Sequence, residues 1–348
     1  MKALPTGAAL EVTLSALLDS VFLQGDDAEA KLARGVPQVL WDEALLRPLR
    51  DFLARPSKGF RAGLVELGYR MSGGADSGLP IELPLIIECL HAGSLIIDDI
   101  EDQSLERRGA PALHCTYGVP RALNAGNWLY FWPQVLLSRV PLRPETRLLA
   151  HERMALCLLR CHEGQALDLQ VRIERLAQSD VANVARTVSQ LKTGGLLGLA
   201  TALGAMAADA PADRAEAIGK LGRELGVGLQ MLDDVSGVLN PARRHKALED
   251  LRLGRVTWVW ACLAEELDRA AYDALLDQAR VVMAGSGVRT SDALLERLRF
   301  RMGHVGVRRA REHVHAAVDA LASVLGRGAW CETVLEQFGW LERRYVQA

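Results

Sequence analysis

One stretch restricts the chain more than any other: HAGSLIIDDIEDQSLERRGAPALHCTYG, residues 91–118. It opens with an apolar run from His91 to Ile97 and then places Asp98, Asp99, Glu101 and Asp102 within five residues. On a helix, residues four apart are offset by only about 40°. Asp98 and Asp102 therefore project from one face, with Asp99 to the side. Like charges at this spacing repel and weaken a bare helix. A hard divalent cation removes the conflict, because Mg²⁺ takes one or two carboxylates and completes its shell with water and substrate phosphate. Beyond Asp102 stand Arg107 and Arg108, followed by Gly109 and Pro111. The planar guanidinium fork matches phosphate oxygens. An acidic run alone is as often a solvated helix end. An apolar approach and an arginine pair on either side of it point instead to a diphosphate site.

The rest of the chain predicts helices. Leu, Ala, Arg and Glu are abundant, aromatics make up 5% and nearly half of the 348 residues are apolar, a balance that favours helix over sheet. The patterning predicts helices over residues 8–24, 39–55 (stopped by Pro56), 80–102, 120–138, 144–173, 179–208, 211–240 and 256–267. Another helix follows Ser57 and carries Lys58 and Arg61, a basic loop precedes residue 256, and three shorter helices complete the chain. No stretch alternates with period two, so no strand is expected. The reading is one all-α domain over residues 1–348, an N-terminal helical extension (1–35) on a core (36–348), built as a bundle of ten or more helices around a central cavity.

Charge and cysteines exclude several function classes. The net charge of −2 with interspersed signs leaves no footprint for nucleic acid. Six cysteines in apolar, helix-like contexts give no disulfide framework and suit a reducing compartment. Cys157, Cys161 and His162 resemble metal ligands only loosely, and helix packing is the better reading. No signal peptide is evident. No charge-free apolar run reaches the roughly 20 residues a membrane span needs. A cytoplasmic protein without stable membrane insertion is expected.

Asp233 and Asp234 end a second apolar helix. A helix C-terminus is an unfavourable place for unpaired acids, which again suggests a bound cation. Helical bundles build metal sites from carboxylates on facing helices, so two such clusters facing one another across a cavity are expected to hold Mg²⁺ around one diphosphate.

With LIIDDIEDQSLERRGAP, HCTYG, NAGNWLYF, GQALD, KTGGLLGLA, LQMLDD and EDLRLGR in this order, the chain resembles the trans-isoprenyl diphosphate synthases (polyprenyl synthetases). It looks most like the eukaryotic-type geranylgeranyl diphosphate synthases. The resemblance covers roughly residues 55–260. It implies an isoprenoid synthase fold and a prenyltransferase that condenses isopentenyl diphosphate with an allylic prenyl diphosphate, using Mg²⁺ (three ions), as a homodimer. It implies that Asp98, Asp102, Asp233 and Asp234 hold metal, with Asp99 in support, and that Arg107 binds the allylic diphosphate. Lys58, Arg61, His91 and Arg108 would bind isopentenyl diphosphate. Lys192, Thr193, Gln230, Lys246 and Arg255 would line the allylic side, and Gln165 of the GQxxD segment would stand near the developing cation. Chain length would be read below the first acidic motif, where Gly93 and Ser94 leave the pocket open and Leu90 and Cys89 form a deeper floor. A product of C20 or longer is therefore expected.

The family pattern is broken in four places. Lys58 lacks the usual glycine pair before it, Asn127 replaces an aspartate, Gly237 stands where the second motif has a third acid, and Arg255 replaces lysine. These losses leave room for a terpene cyclase on the same fold, or for a non-catalytic subunit of a heteromeric synthase. Lys58, Arg61, His91 and Arg108 argue against the first, and the intact first motif argues against the second.

Overall fold

Segments with an apolar stripe become helices almost throughout the computed structural model, which describes Leu18 and residues 28–56, 59–75, 78–285, 288–302 and 305–346. Two short helices, α1 (Ala28–Arg34) and α2 (Gln38–Trp41), lead through a π-helical turn (Asp42–Leu46) into α3 (Arg47–Leu53). There follow α4 (Phe60–Met71), α5 (Glu82–Glu101), a hairpin of β1 (Glu106–Arg107) and β2 (Ala110–Pro111), α6 (Leu113–Tyr117) and α7 (Val119–Arg139). Next come α8 (Pro144–Gln170), α9 (Gln178–Ser189), a π-helical turn (Gln190–Gly194), α10 (Gly195–Ala207) and α11 (Ala212–Leu239). The chain ends with α12 (Arg244–Arg252), α13 (Trp258–Glu266), α14 (Arg269–Met283), α15 (Val288–Met302), α16 (Val305–Leu325) and α17 (Ala329–Val346). Internal contacts group the residues into two units, Met1–His151 with Leu203–Ala210, and Glu152–Ala202 with Pro211–Ala348.

In the first unit, α5 is the organising element. Pro84 lies in its first turn, where a missing N–H breaks no intrahelical bond. The helix then buries Leu85, Ile86, Ile87, Cys89, Leu90 and Ile96. It stops at Gln103, which adopts a left-handed φ of 54°. The amide of Ser104 donates to the carbonyl of Asp99 at 2.9 Å, and that of Gln103 to Ile100 at 3.3 Å. This is the double hydrogen bond of a Schellman end, built on Gln where glycine is usual. The chain turns straight into the hairpin, whose central residues Arg108 and Gly109 both have positive φ, 56° and 76°. Such a turn suits the twist of two strands but favours Asn-Gly over Arg-Gly. Arg108 is held there by a hydrogen bond to the carbonyl of Arg55 (3.4 Å) and by its place 5.5 Å from the centre of the Phe52 ring.

Helix α5 packs on α7 through a backbone approach. A Cβ placed on Gly93 would stand 2.9 Å from the carbonyl oxygen of Gly126 and 3.1 Å from the Cβ of Leu129. From the other side, a Cβ on Gly126 would meet Ile97 Cδ1 at 2.8 Å.

In the second unit, α11 contacts α16, α17, α15 and α13. A cluster around Val235, Trp260, Tyr272, Leu276, Leu295 and Leu298 fills the space among α11, α13, α14 and α15. The rings of Trp260 and Tyr272 meet edge to face, 6.1 Å between centroids.

Several sequence expectations are corrected. Two-residue strands pair at 106–111, too short to leave a periodic signal. The helix expected over 144–173 ends at Gln170, and the one over 179–208 is interrupted by a π-helical turn. The expected basic loop contains α12, and four helices, not three, complete the described chain. Residues 8–24 lie outside the described residues except Leu18, which is helical and buried. No helix among the described residues is long and apolar enough to cross a membrane.

The glycine approach predicts a stability cost. Gly93→Ala should lower unfolding stability by about 1–3 kcal/mol, because the new methyl meets backbone rather than a yielding side-chain end. A drop in the urea midpoint with unchanged slope is the expected result. An unchanged midpoint would show that α7 is not held this closely to α5.

Candidate functional site

In the first unit, four basic groups converge near the end of α5. His91 lies one to two turns before Asp98 on the same helix. Burial, then the charges of Arg61, Arg108 and Arg107, hold its imidazole well below the ordinary value. The histidine is thus neutral at pH 7 and stands among three arginines. Arg61 comes from the first turn of α4, and Arg107 and Arg108 come from the hairpin.

Asp99 explains how the hairpin is aimed. It has no exposed surface. Its Oδ1 accepts two hydrogen bonds from Arg107, one from Nε at 2.7 Å and a shorter one from Nη2. Its Oδ2 is buried without a hydrogen-bond partner. Burial pushes the carboxyl above its ordinary value, and the Arg107 guanidinium opposes that push. Asp98 and Asp102 stand on a different side of the helix and are half-buried. Two carboxylates four residues apart are the donor set that Mg²⁺ takes when phosphate supplies the rest of its shell. The residues at this end of α5 therefore fit that ion.

A second layer that the sequence reading missed supports the arginines. Arg55, 6% exposed, donates to Asp51 at 3.0 and 3.1 Å and to the carbonyl of Arg107 at 3.2 Å. Tyr117 donates its hydroxyl to the same Asp51 at 2.9 Å. The sequence signal was a lone arginine before a proline, which carries no information without the fold.

In the second unit, the π-helical turn Gln190–Gly194 displays Lys192 and Thr193. Such turns insert one residue into a helix and recur at functional sites. Lys192 Nζ donates to Asp168 Oδ2 at 2.6 Å, and Arg255, 7% exposed, reaches the other oxygen at 3.5 Å. Asp168 lies three residues after the half-buried Gln165 on α8. Thr193 donates to Gln230 at 2.8 Å, and Gln230 donates to Asp234 Oδ1 at 2.7 Å. The backbone N–H of Trp258 donates to Asp234 Oδ2 at 2.9 Å. Burial, and then the charge of Asp250, push the Asp234 carboxyl up to about 7.

Asp234 is therefore a buried acceptor that ties α13 to α11. Both of its oxygens, expected to serve a metal, here accept internal donors. Asp233 points elsewhere. Its Oδ1 accepts from Arg243 at 2.6 Å and its Oδ2 from Lys246 at very short range. Gly237 supplies no third acid, and a Cβ there would already lie 3.3 Å from the amide nitrogen of Ala247. This second position, as it stands, does not fit a divalent ion. Among the described residues no group of three His, Cys, Asp or Glu side chains is gathered to hold a metal.

Other expectations are placed as follows. Lys58 lies outside the described residues. Gly93 does not leave a pocket open, since α7 fills the space beside it, and Cys89 on the same face is fully buried. Ser94 is half-buried, four residues before Asp98 on the acidic face, with Leu90 one turn further back. Cys157 and Cys161 lie 4.0 Å apart, and the Cys161 thiol meets the carbonyl of Lys192 at 3.6 Å. They pack against the π-helical turn, as the helix-packing reading requires.

Known proteins share this pattern. The polyprenyl synthetase family description matches residues 42–281. A geranylgeranyl pyrophosphate synthase of Eremothecium gossypii is 32% identical over 207 residues, 56% of this chain and 62% of that protein. A terpene synthase of Matsumurasca onukii is 32% identical over 219 residues, 62% of this chain and 68% of that protein. The solved geranylgeranyl pyrophosphate synthetase of Pyrococcus horikoshii superposes with a TM-score of 0.69 at 21% identity, covering 96% of this chain and 98% of that one. The chain therefore belongs to the polyprenyl synthetase family and has its all-α isoprenoid synthase fold. Its match spans less than two thirds of the length of the fungal relative.

The raised carboxyls predict a pH effect on stability. Burial lifts Asp250 from 3.8 to about 6. The folded chain then binds more protons than the unfolded chain between those values, so this contribution to stability is present below 3.8 and is lost as pH rises through about 6. Asp250→Asn should flatten that decline in urea midpoints measured from pH 4 upward. A decline as steep as in the parent chain would contradict the assignment.

Proposed function

We propose that the chain is a Mg²⁺-dependent prenyltransferase that joins isopentenyl diphosphate to an allylic diphosphate, giving a trans-polyprenyl diphosphate of C20 or longer. One observation carries the reading. At one end of α5, a carboxylate pair suited to a hard cation is followed closely in sequence by Arg107 and Arg108, and these two, with Arg61 from α4, act on a neutral His91 of the same helix. Chemistry of that kind recognises a metal-bound diphosphate and a second anion. The names of the relatives support the substrate class.

Asp98 and Asp102 would hold the ion, whose charge neutralises the departing diphosphate. Arg107, aimed by Asp99, would bind the allylic diphosphate with a pre-set fork. Arg61, Arg108 and His91 would bind isopentenyl diphosphate, with Lys58 assigned to the same role by the resemblance. Neutral His91 can donate to phosphate without repelling the arginines beside it. Lys192, Thr193, Gln230, Lys246 and Arg255 would serve the allylic side, and Gln165 would face the developing positive charge.

The reaction balances without a dedicated side-chain base. The allylic C–O bond breaks, and its electron pair leaves on diphosphate. The alkene of isopentenyl diphosphate supplies two electrons to the allylic carbon, forming the new C–C bond. A proton is then lost to the released diphosphate. Water must be excluded while the cation exists, which suits an apolar channel. A cyclase is the weaker reading. The terpene synthase relative and the missing third acid favour it, but a cyclase has no use for the Arg61–His91–Arg108 cluster.

Incubation with Mg²⁺, labelled isopentenyl diphosphate and C5 to C20 allylic diphosphates tests the reading. Labelled longer diphosphates are expected, and Asp98→Ala should abolish them. Unlabelled hydrocarbon from an allylic substrate alone would establish the cyclase. Ser94, not Gly93, shares a face with Asp98, so Ser94→Phe should shorten the product while leaving the first condensation intact. An unchanged product length would remove Ser94 from the pocket.

A second copy of this chain is the proposed partner, acting in the cytoplasm. Along α7, Val119, Leu123, Phe131 and Val135 recur at four-residue multiples and are 47%, 41%, 72% and 50% exposed. Phe131 and Val135, about 40° apart around the helix, are the most exposed of these, and apolar surface left in water favours association. Sedimentation should show a dimer, and Phe131→Glu should shift it to monomer. A monomeric parent chain would contradict the assignment.

A further inference from the structure

At the second acidic position both carboxylates are engaged by groups of the chain itself. Asp233 accepts from Arg243 at one oxygen and from Lys246 at the other, so one negative charge faces two positive ones. Asp234 is committed to Gln230 and to the Trp258 backbone. Gly237 faces α12 closely, and the nitrogen and Cβ of Ala247 would stand 3.3 and 3.4 Å from the first carbon of a side chain there. A motif that would need three acids thus presents one, and that one is neutralised from within the chain.

Arg243 is also held from its other side. It ends the 3₁₀ turn Pro241–Arg243, whose geometry is set by Asn240. The Asn240 side chain accepts from the amide of Ala242 at 3.0 Å and donates to the carbonyl of Tyr345 at 3.1 Å. Asn240 is only 2% exposed, so these bonds are shielded from water. The Tyr345 ring, in the last turn of α17, lies 4.6 Å from the Arg243 guanidinium carbon, within cation–π range. Of the five N–H donors a guanidinium carries, one is used on Asp233, and the Arg243 side chain keeps 24% of its surface exposed.

We propose that Arg243 is a diphosphate-binding residue which, with Lys246, stands in place of a divalent ion at Asp233, and that Tyr345 and Asn240 position it. Its ligand class rests on the prenyltransferase reading. The second position then attracts the anion directly, and the chain gathers its metal at Asp98 and Asp102. Fewer than three ions are then expected, since both oxygens of Asp233 already accept from cationic side chains.

Inorganic pyrophosphate and Mn²⁺ are the probes, with the full chain. Calorimetry with Mg²⁺ present should show pyrophosphate binding about tenfold weaker in Arg243→Met, the size of one lost charge-assisted hydrogen bond. Tyr345→Phe, which keeps the ring, should bind as the parent does, and Tyr345→Ala should weaken binding severalfold. Counting bound Mn²⁺ by electron paramagnetic resonance in the presence of pyrophosphate should give fewer than three ions, a number unaffected by Asp233→Asn. Parental affinity in Arg243→Met, or loss of a Mn²⁺ in Asp233→Asn, overturns the proposal. Should Arg243→Met fail to fold, equal affinities in Tyr345→Phe and Tyr345→Ala overturn it instead. A parent chain that binds no pyrophosphate at all removes the prenyltransferase reading with it. Parental binding that ignores Arg243 removes only this inference.

Discussion

A carboxylate with no exposed surface must find a cation or give up its charge, and Asp99 shows what that requirement builds. Its place on the inner side of α5 leaves Arg107 as the group that reaches it. To arrive there the chain must leave the helix at once, which it does through a left-handed Gln103, and must fold back in a hairpin with a left-handed Arg108. Two non-glycine residues in that region each cost about 1–2 kcal/mol. The contacts of Arg108 with Arg55 and Phe52 and the Arg55–Asp51–Tyr117 bonds offset that strain, while the Asp99–Arg107 pair fixes the direction of the turn rather than adding net stability. Breaking a buried pair by removing one partner typically costs 3–5 kcal/mol (about that scale), so the hairpin is well determined. The direction in which Arg107 and Arg108 point is therefore a consequence of where one acid is buried.

The second unit uses the same physics with different outcomes. Asp168 gathers Lys192 and Arg255, and in doing so joins α8, the π-helical turn and the segment after α12. Asp234 has no cation and settles for two hydrogen bonds and a raised pKa near neutrality. Asp233 takes two cations, one at each oxygen. Three acids within one unit thus end as a bridge between two cations, a structural acceptor and the shared partner of Arg243 and Lys246. Residue type does not separate these roles; only the neighbours do.

This separates what the sequence can and cannot disclose. Helix α5 was legible to within two residues at each end, and α7 to within one, because a long apolar period and a following run of turn residues mark both. Spacing alone puts Asp98 and Asp102 on one face of α5, and the helix keeps both there half-buried. The π-helical turn was not, since one inserted residue shifts a stripe too little to notice beside the glycines that follow it. Helix α12 read as a loop because RRHK at its start outweighs the two buried residues, Ala247 and Leu251, that make it helical. Gly93 was misjudged for a different reason. A glycine in a helix says that something comes close, but whether that is a substrate or another backbone depends on α7, which lies some thirty residues away in sequence. Arg55 and Arg243 acquire meaning only through partners that the fold brings to them.

A diphosphate held through a metal ion at the end of α5 is the proposal that the other assigned roles depend on. Its most direct test is the anomalous scattering of Mn²⁺ in crystals of the chain grown with pyrophosphate. The predicted map has Mn²⁺ on Asp98 and Asp102, with Arg107 on the anion and Asp99 still on Arg107. Mn²⁺ found only away from these two carboxylates, or an anion bound with no contact from Arg107, would contradict it.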